Sequence, residues 1–214
     1  IASYDPFEQA TKSGSSIEDQ EAAVAYQKGA ASIATFVEVL SEALAELDRL
    51  QVDGVNNTAI AQRAWSVEIY DIIAQKVLAD PSLNLATGFA DQEFVGGVVL
   101  EAIQAFDPAV TDVNDETYSE YITAASSILE DAGGKVSSAE PTGDWTSIKA
   151  LTEITKVQQA AQGDAGERLV NFIKFMDDPA TQAGEQSEAY SDPENEIVIE
   201  IPDTDDHLVP LLAT

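Results

Sequence analysis

The chain has 214 residues, with 39 Asp and Glu against 10 Lys and Arg, one His, no Cys and a formal net charge of -29. Its 44% hydrophobic content is that of a chain that folds, and its length allows one large domain or two small ones. The absence of cysteine excludes a disulfide framework, a thiolate metal site and a Cys nucleophile, a single His excludes any ligand set of two imidazoles, and the charge leaves nothing to grip nucleic acid or an anionic membrane.

Residues 3–16 read as a loop, because Pro6 pushes Asp5 out of the helical region and Ser13-Gly14-Ser15-Ser16 is turn chemistry. From about Glu18 to Leu50 the pattern is helical. Ile33, Phe36, Val37, Leu40, Leu44, Leu47 and Leu50 fall three and four apart, with Glu38, Glu42, Glu46 and Arg49 on the opposite face. Gly54 and the Asn56-Asn57 pair break that helix. Thr58 then caps a second one carrying Trp65, Ile69, Ile72, Ile73 and Val77, which Asp80-Pro81 stops.

Asp91 caps a third segment, striped by Phe94, Val95, Val98, Val99, Ala102, Ile103 and Phe106. Gly96-Gly97 inside it implies either a break or the close approach of another helix, since an interior Gly costs about 1 kcal/mol relative to Ala. Tyr118, Tyr121, Ile122, Ala125, Ile128 and Leu129 form a fourth stripe, for which Gly133-Gly134 is a C-terminal signal. A fifth helix starts from a cap at Asp144 or Thr146 and closes at Gly163; a sixth runs from Asp164 through Leu169, Val170, Phe172, Ile173 and Met176 to Asp178-Pro179.

The last stretch changes character. Ile197, Ile199 and Ile201 alternate with Glu196, Val198 and Glu200, a strand pattern rich in β-branched residues. The expected architecture is thus an all-α bundle of five or six helices over residues 1–180, followed by an acidic segment, 181–214, with one strand. A lone strand needs a ladder partner, so Glu196 to Ile201 is expected to add to the sheet of a neighbouring domain or subunit.

Every Lys and Arg lies at or before Lys174, while Asp177 to Asp206 hold eleven carboxylates without a basic residue. Within that run, Asp203, Asp205, Asp206 and His207 are the densest ligand set, and carboxylates so spaced in a loop are how oxygen-liganded Ca2+ sites are built. The competing reading is a solvated acidic turn, since the EF-hand Gly and distal Glu are missing; Asp112-Val-Asn-Asp-Glu116 fails that pattern too. His207 has no nucleophile elbow to serve, so no catalytic site and no enzyme are expected. With 39 acids some carboxylate pair always falls at glycosidase spacing, which makes such pairs uninformative. Asn56-Asn57-Thr58 matches the glycosylation sequon but also serves as turn and cap, and Trp65, Trp145 and the six Tyr read as core and core-edge residues.

Asp5-Pro6-Phe7, Tyr26-Gln27-Lys28 and Ile154-Thr-Lys-Val-Gln-Gln-Ala-Ala-Gln-Gly-Asp164, set in Ala-rich helical sequence, resemble helical segments of large secreted bacterial proteins. These are the RTX-type and cadherin-like adhesins and surface-layer proteins with Ca2+-binding β-repeats. The likeness covers mainly the two ends of residues 3–176, and the chain lacks the Gly-Gly-x-Gly-x-Asp nonapeptides of those repeats. It implies an extracellular or cell-surface, non-enzymatic module for adhesion or assembly. Ile1, with neither Met nor a basic leader, reads as the start of a processed or excised piece, and no stretch reaches the ~18 apolar residues of a membrane span. Two other readings of the acidity are an acidic decoy that mimics nucleic acid for a basic partner and a soluble protein of a high-salt organism.

Overall fold

A computed structural model of the chain describes residues 16–51, 58–115, 117–140 and 146–177, together with Glu8 and Lys12. The helices in it are α1 (Ile17–Gln51), α2 (Thr58–Ala79), α3 (Leu85–Gly88), α4 (Gln92–Phe106), α5 (Ser119–Ser138) and α6 (Ser147–Asp177). The all-α expectation therefore stands for the described residues. Glu196 to Ile201, with the rest of the acidic segment, lies outside them.

The starts of these helices follow from their sequence. Ser16 and Asp19 form a reciprocal capping box: Asp19 N donates to Ser16 Oγ at 3.1 Å, while Ser16 N donates back to Asp19 Oδ2 at 3.1 Å. Asp91 Oδ1 accepts from Phe94 N at 2.9 Å at the head of α4, and Thr146 Oγ1 accepts from Lys149 N at 3.2 Å at the head of α6. In the opening segment, Lys12 N donates to the Glu8 carbonyl at 3.0 Å.

Cross-helix contacts fix the directions. Ser66 meets Ser41, Trp65 meets Phe106, Phe106 meets Tyr118, and Asp131 meets Arg168, so α1, α2, α4, α5 and α6 each run antiparallel to the one before. The fifth long helix must then run parallel to the first. It does, with Leu151 packed beside Ala23 and, further along, Gly166 close to the Glu42 carboxylate. α1 is the spine, packed against α2, α3, α5 and α6.

Phe36, Val37, Leu40 and Leu44 are buried as their spacing predicts, and Ile33, Leu47 and Leu50 pack partly buried around them. The opposite face is not simply solvated. Ala31, Ser32, Thr35, Val39, Ala43, Ala45 and Glu46 are also buried, because α6 covers that side through its own stripe of Ala150, Ile154, Val157, Ala161, Ala165 and Leu169. Glu46 tolerates this place through a bidentate pair with Arg49, both N–O distances being 2.7 Å.

Three glycine positions part from the sequence reading. α4 is unbroken, and no neighbouring backbone crowds Gly96-Gly97: a Cβ at Gly96 would meet Ser126 Oγ at an ordinary 3.7 Å, and one at Gly97 would stand 3.1 Å from the movable end of Lys76. α5 continues past Gly133-Gly134 to Ser138 with Val136 buried, because Gly133 serves a contact and not a cap: a Cβ there would overlap the Phe89 carbonyl. The expected fifth and sixth helices are one, α6, since the apolar phase of Val157, Ala161, Ala165 and Leu169 passes Gly163 without a break.

The short α3 was not expected. Asn84 Oδ1 caps it by accepting from Ala86 N at 3.0 Å, and it delivers Phe89 into the core, 5.2 Å from the Phe36 ring and 5.1 Å from Phe94. Lys28 Nζ donates to the Ser137 carbonyl at 2.7 Å, satisfying an end of α5 that has no further turn to bond.

Candidate functional site

Asp203, Asp205, Asp206 and His207, together with Trp145 and Asn56-Asn57, lie outside the described residues. Among the described residues no group of three or more His, Cys, Asp or Glu comes together in a way that could hold a metal ion. Loop carboxylates there are engaged with backbone. Asp80 Oδ1 accepts from Ser82 N and Oγ, Asp107 Oδ1 from Ala109 N, Asp112 Oδ1 from Asn114 N, and Asp115 Oδ1 from Thr117 N and Tyr118 N. Asp112 and Asp115 thus use their side chains to brace the backbone that leads into α5.

Charged groups link helices at two places: Lys76 Nζ of α2 lies 2.7 Å from Glu101 Oε1 of α4, and a larger cluster joins α5 to α6. On α5, Asp131 Oδ2 lies 3.6 Å from Lys135 Nζ and 3.5 Å from Arg168 Nη1 of α6, and Arg168 Nη1 lies 3.9 Å from Asp164 Oδ2. Asp164 Oδ2 is buried with no hydrogen-bond partner, and burial raises its carboxyl above the ordinary value of 3.8 against the pull of Arg168 and Lys135. Two acids and two bases at these long distances, partly exposed, pin α5 to α6 weakly. The sequence carries the two i,i+4 pairs, Asp131–Lys135 and Asp164–Arg168, but not their meeting.

Elsewhere hydrogen bonds set the acids lower. Ser16 holds the exposed Asp19 carboxyl below its ordinary value, and Arg49, with Lys174 further off, does the same for Glu46. Ser32 Oγ, Thr35 Oγ1 and Tyr121 OH are buried without a hydrogen-bond partner, and burial pushes the Tyr121 phenol upward. Tyr118 and Tyr121 belong to the core as expected, whereas Tyr26 and Tyr70 are about half exposed.

The other feature that sequence reasoning missed is the outer face of α2. Its inner face buries Ile69, Ile72 and Ile73, yet Ile60, Val67, Tyr70 and Leu78 are also apolar or aromatic, and exposed. No helix among the described residues is long and apolar enough to cross a membrane. In comparisons with known proteins, no family model matches the chain, and no curated protein or solved structure is significantly similar to it.

Proposed function

We propose that this chain is a non-enzymatic structural module of a secreted or surface protein, one that spaces or assembles its neighbours while cations moderate its charge. The observation that carries the reading is the parallel pairing of α1 and α6, which puts Ile17 and Asp177 at opposite poles of the bundle. An odd number of long antiparallel helices separates the two ends by about a helix length, roughly 45–50 Å at 1.5 Å per residue. A module with ends at one pole would leave its neighbours side by side. This one would hold them apart. The surface-protein resemblance and the charge of -29 support the same reading.

Two measurements test it. Antibody raised against the purified chain should label intact producing cells or their secreted material; labelling confined to permeabilised cells would end the surface reading. In thermal unfolding of the full chain, millimolar Ca2+ should raise the midpoint beyond Mg2+ at matched ionic strength, because a ligand bound only by the folded state adds RT ln(1 + [L]/Kd). The combined substitution Asp203→Asn, Asp205→Asn and Asp206→Asn should remove that excess. Equal effects of Ca2+ and Mg2+ would leave the cluster a solvated turn.

A further inference from the structure

The outer face of α2 has an order to it. Ile60, Val67 and Leu78 are 68%, 60% and 80% exposed, and with the exposed Ala64, Asp71 and Ala74 they follow one another at steps of 4, 3, 4, 3 and 4 residues. That spacing keeps one seam of a helix turned toward a second helix packed along it. A helix apolar on two sides is ordinarily a covered helix. On α2, Arg63 stands against Glu68 and Asp71, while Lys76 is taken up by Glu101 of α4 at 2.7 Å, so this helix carries little of the chain's net charge of -29. Another copy of so acidic a protein can approach this helix at low electrostatic cost.

The order of side-chain sizes indicates the occupant. Laid antiparallel on the same helix of a second copy, with the twofold axis at the level of Ile69, Ile60 faces Leu78, Ala64 faces Ala74 and Val67 faces Asp71. Large meets large in the outer layer and small meets small in the next, the self-complementarity that a twofold contact demands, while near the axis Val67 lies against the stem of Asp71. A parallel pairing in register would set Asp71 against Asp71. We propose that α2 is a self-association surface through which two copies of this chain pair antiparallel, the Ala64 and Ala74 layers allowing a close approach of the helices. The seam spans about 27 Å at 1.5 Å per residue. Two such faces bury on the order of 1,000 Å2, near the low end for specific complexes, so the pairing is reversible and concentration-dependent. Glu68 and Asp71 of both copies gather near the axis, so salt favours the pair.

Sedimentation equilibrium of the full chain, from micromolar to millimolar, in dilute buffer and in about 1 M NaCl, reads this directly. The mass should rise from 22.8 kDa toward twice that value, and at lower concentration in high salt. Ala64→Glu, at an exposed position, should keep the helical circular dichroism and stay monomeric, whereas Asp71→Leu should tighten the pair on the order of tenfold. Since the chain has no cysteine, mixed Ala64→Cys and Ala74→Cys proteins should cross-link to each other on oxidation. A wild type that stays monomeric at millimolar concentration in high salt, a dimer that Ala64→Glu leaves intact, or Ala64→Cys linking mainly to itself would each overturn the proposal.

Discussion

At Gly133 one missing methyl group lets a helix rest on the backbone of another segment. A Cβ there would overlap the Phe89 carbonyl, and backbone cannot turn aside as a side chain can. Gly133→Ala should therefore destabilise the fold by at least the ~1–3 kcal/mol of ordinary overpacking, read as a lower urea midpoint. Gly163 is the counterpart. It sits exposed inside α6, and a Cβ there would meet nothing within 4 Å, so Gly163→Ala should stabilise by about 0.5–1 kcal/mol in the same assay. The two substitutions are identical in chemistry and opposite in sign. Asp164 gives a pH-dependent case. Burial raises its folded-state pKa, so the folded chain holds that proton more tightly than the unfolded chain does. Its contribution to stability is full below 3.8 and is lost as pH rises through the folded value. Asp164→Asn, neutral throughout, should be more stable than wild type at neutral pH and equal to it below 3.8. A variant less stable at neutral pH would show that Arg168 and Lys135 outweigh burial.

Among the elements, α1 carries the most packing, and Leu40 lies fully buried at its middle. Leu40→Ala should cost about 2–5 kcal/mol, while Glu38→Ala on the exposed line of the same helix should stay within about 0.5 kcal/mol, both by chemical denaturation. The contrast also marks what could be read in advance. Phe36, Leu40 and Leu44 announce a buried stripe because large apolar groups gain most by leaving water. Ala31, Ser32, Ala43 and Ala45 announce nothing, although they are buried equally, because small residues are at home on either side of a helix; the face that receives α6 was invisible for that reason. Glycine misled in a consistent way. At Gly133 and Gly163 the residue type suggested an end, yet the flanking apolar phase ran through both, and phase proved the better guide. The four-residue α3 is too short for any periodicity to show. The outer face of α2 went unread because its buried Ile69, Ile72 and Ile73 already satisfied the pattern of a packed helix. The carboxylate cluster from Asp203 to His207 was legible as sequence, but lies outside the described residues.

On the scale of the whole molecule the dominant fact is a net charge of -29, shared between a bundle that must stay compact and an acidic segment after it. Like charges oppose folding unless screened, and the screening length falls from about 10 Å at 0.1 M salt to about 3 Å at 1 M. The thermal midpoint should rise steadily with NaCl across that range, followed by circular dichroism at helical wavelengths. A midpoint that ignores salt would mean that backbone and hydroxyl contacts of the kind seen at Asp80, Asp107, Asp112 and Asp115 already offset the repulsion.

The parallel run of α1 beside α6 also decides how the protein answers a pull. Tension applied through Ile17 and Asp177 acts along the helix axes, in opposite directions on two neighbours that pack from the Leu151–Ala23 contact to the approach of Gly166 to Glu42. Such a load is shear. Interlocked side chains along the whole length must slip together, where helices with both grips at one pole would peel apart turn by turn. The same topology that separates the ends therefore makes the bundle stiffest along the line on which a tethered chain would be stretched.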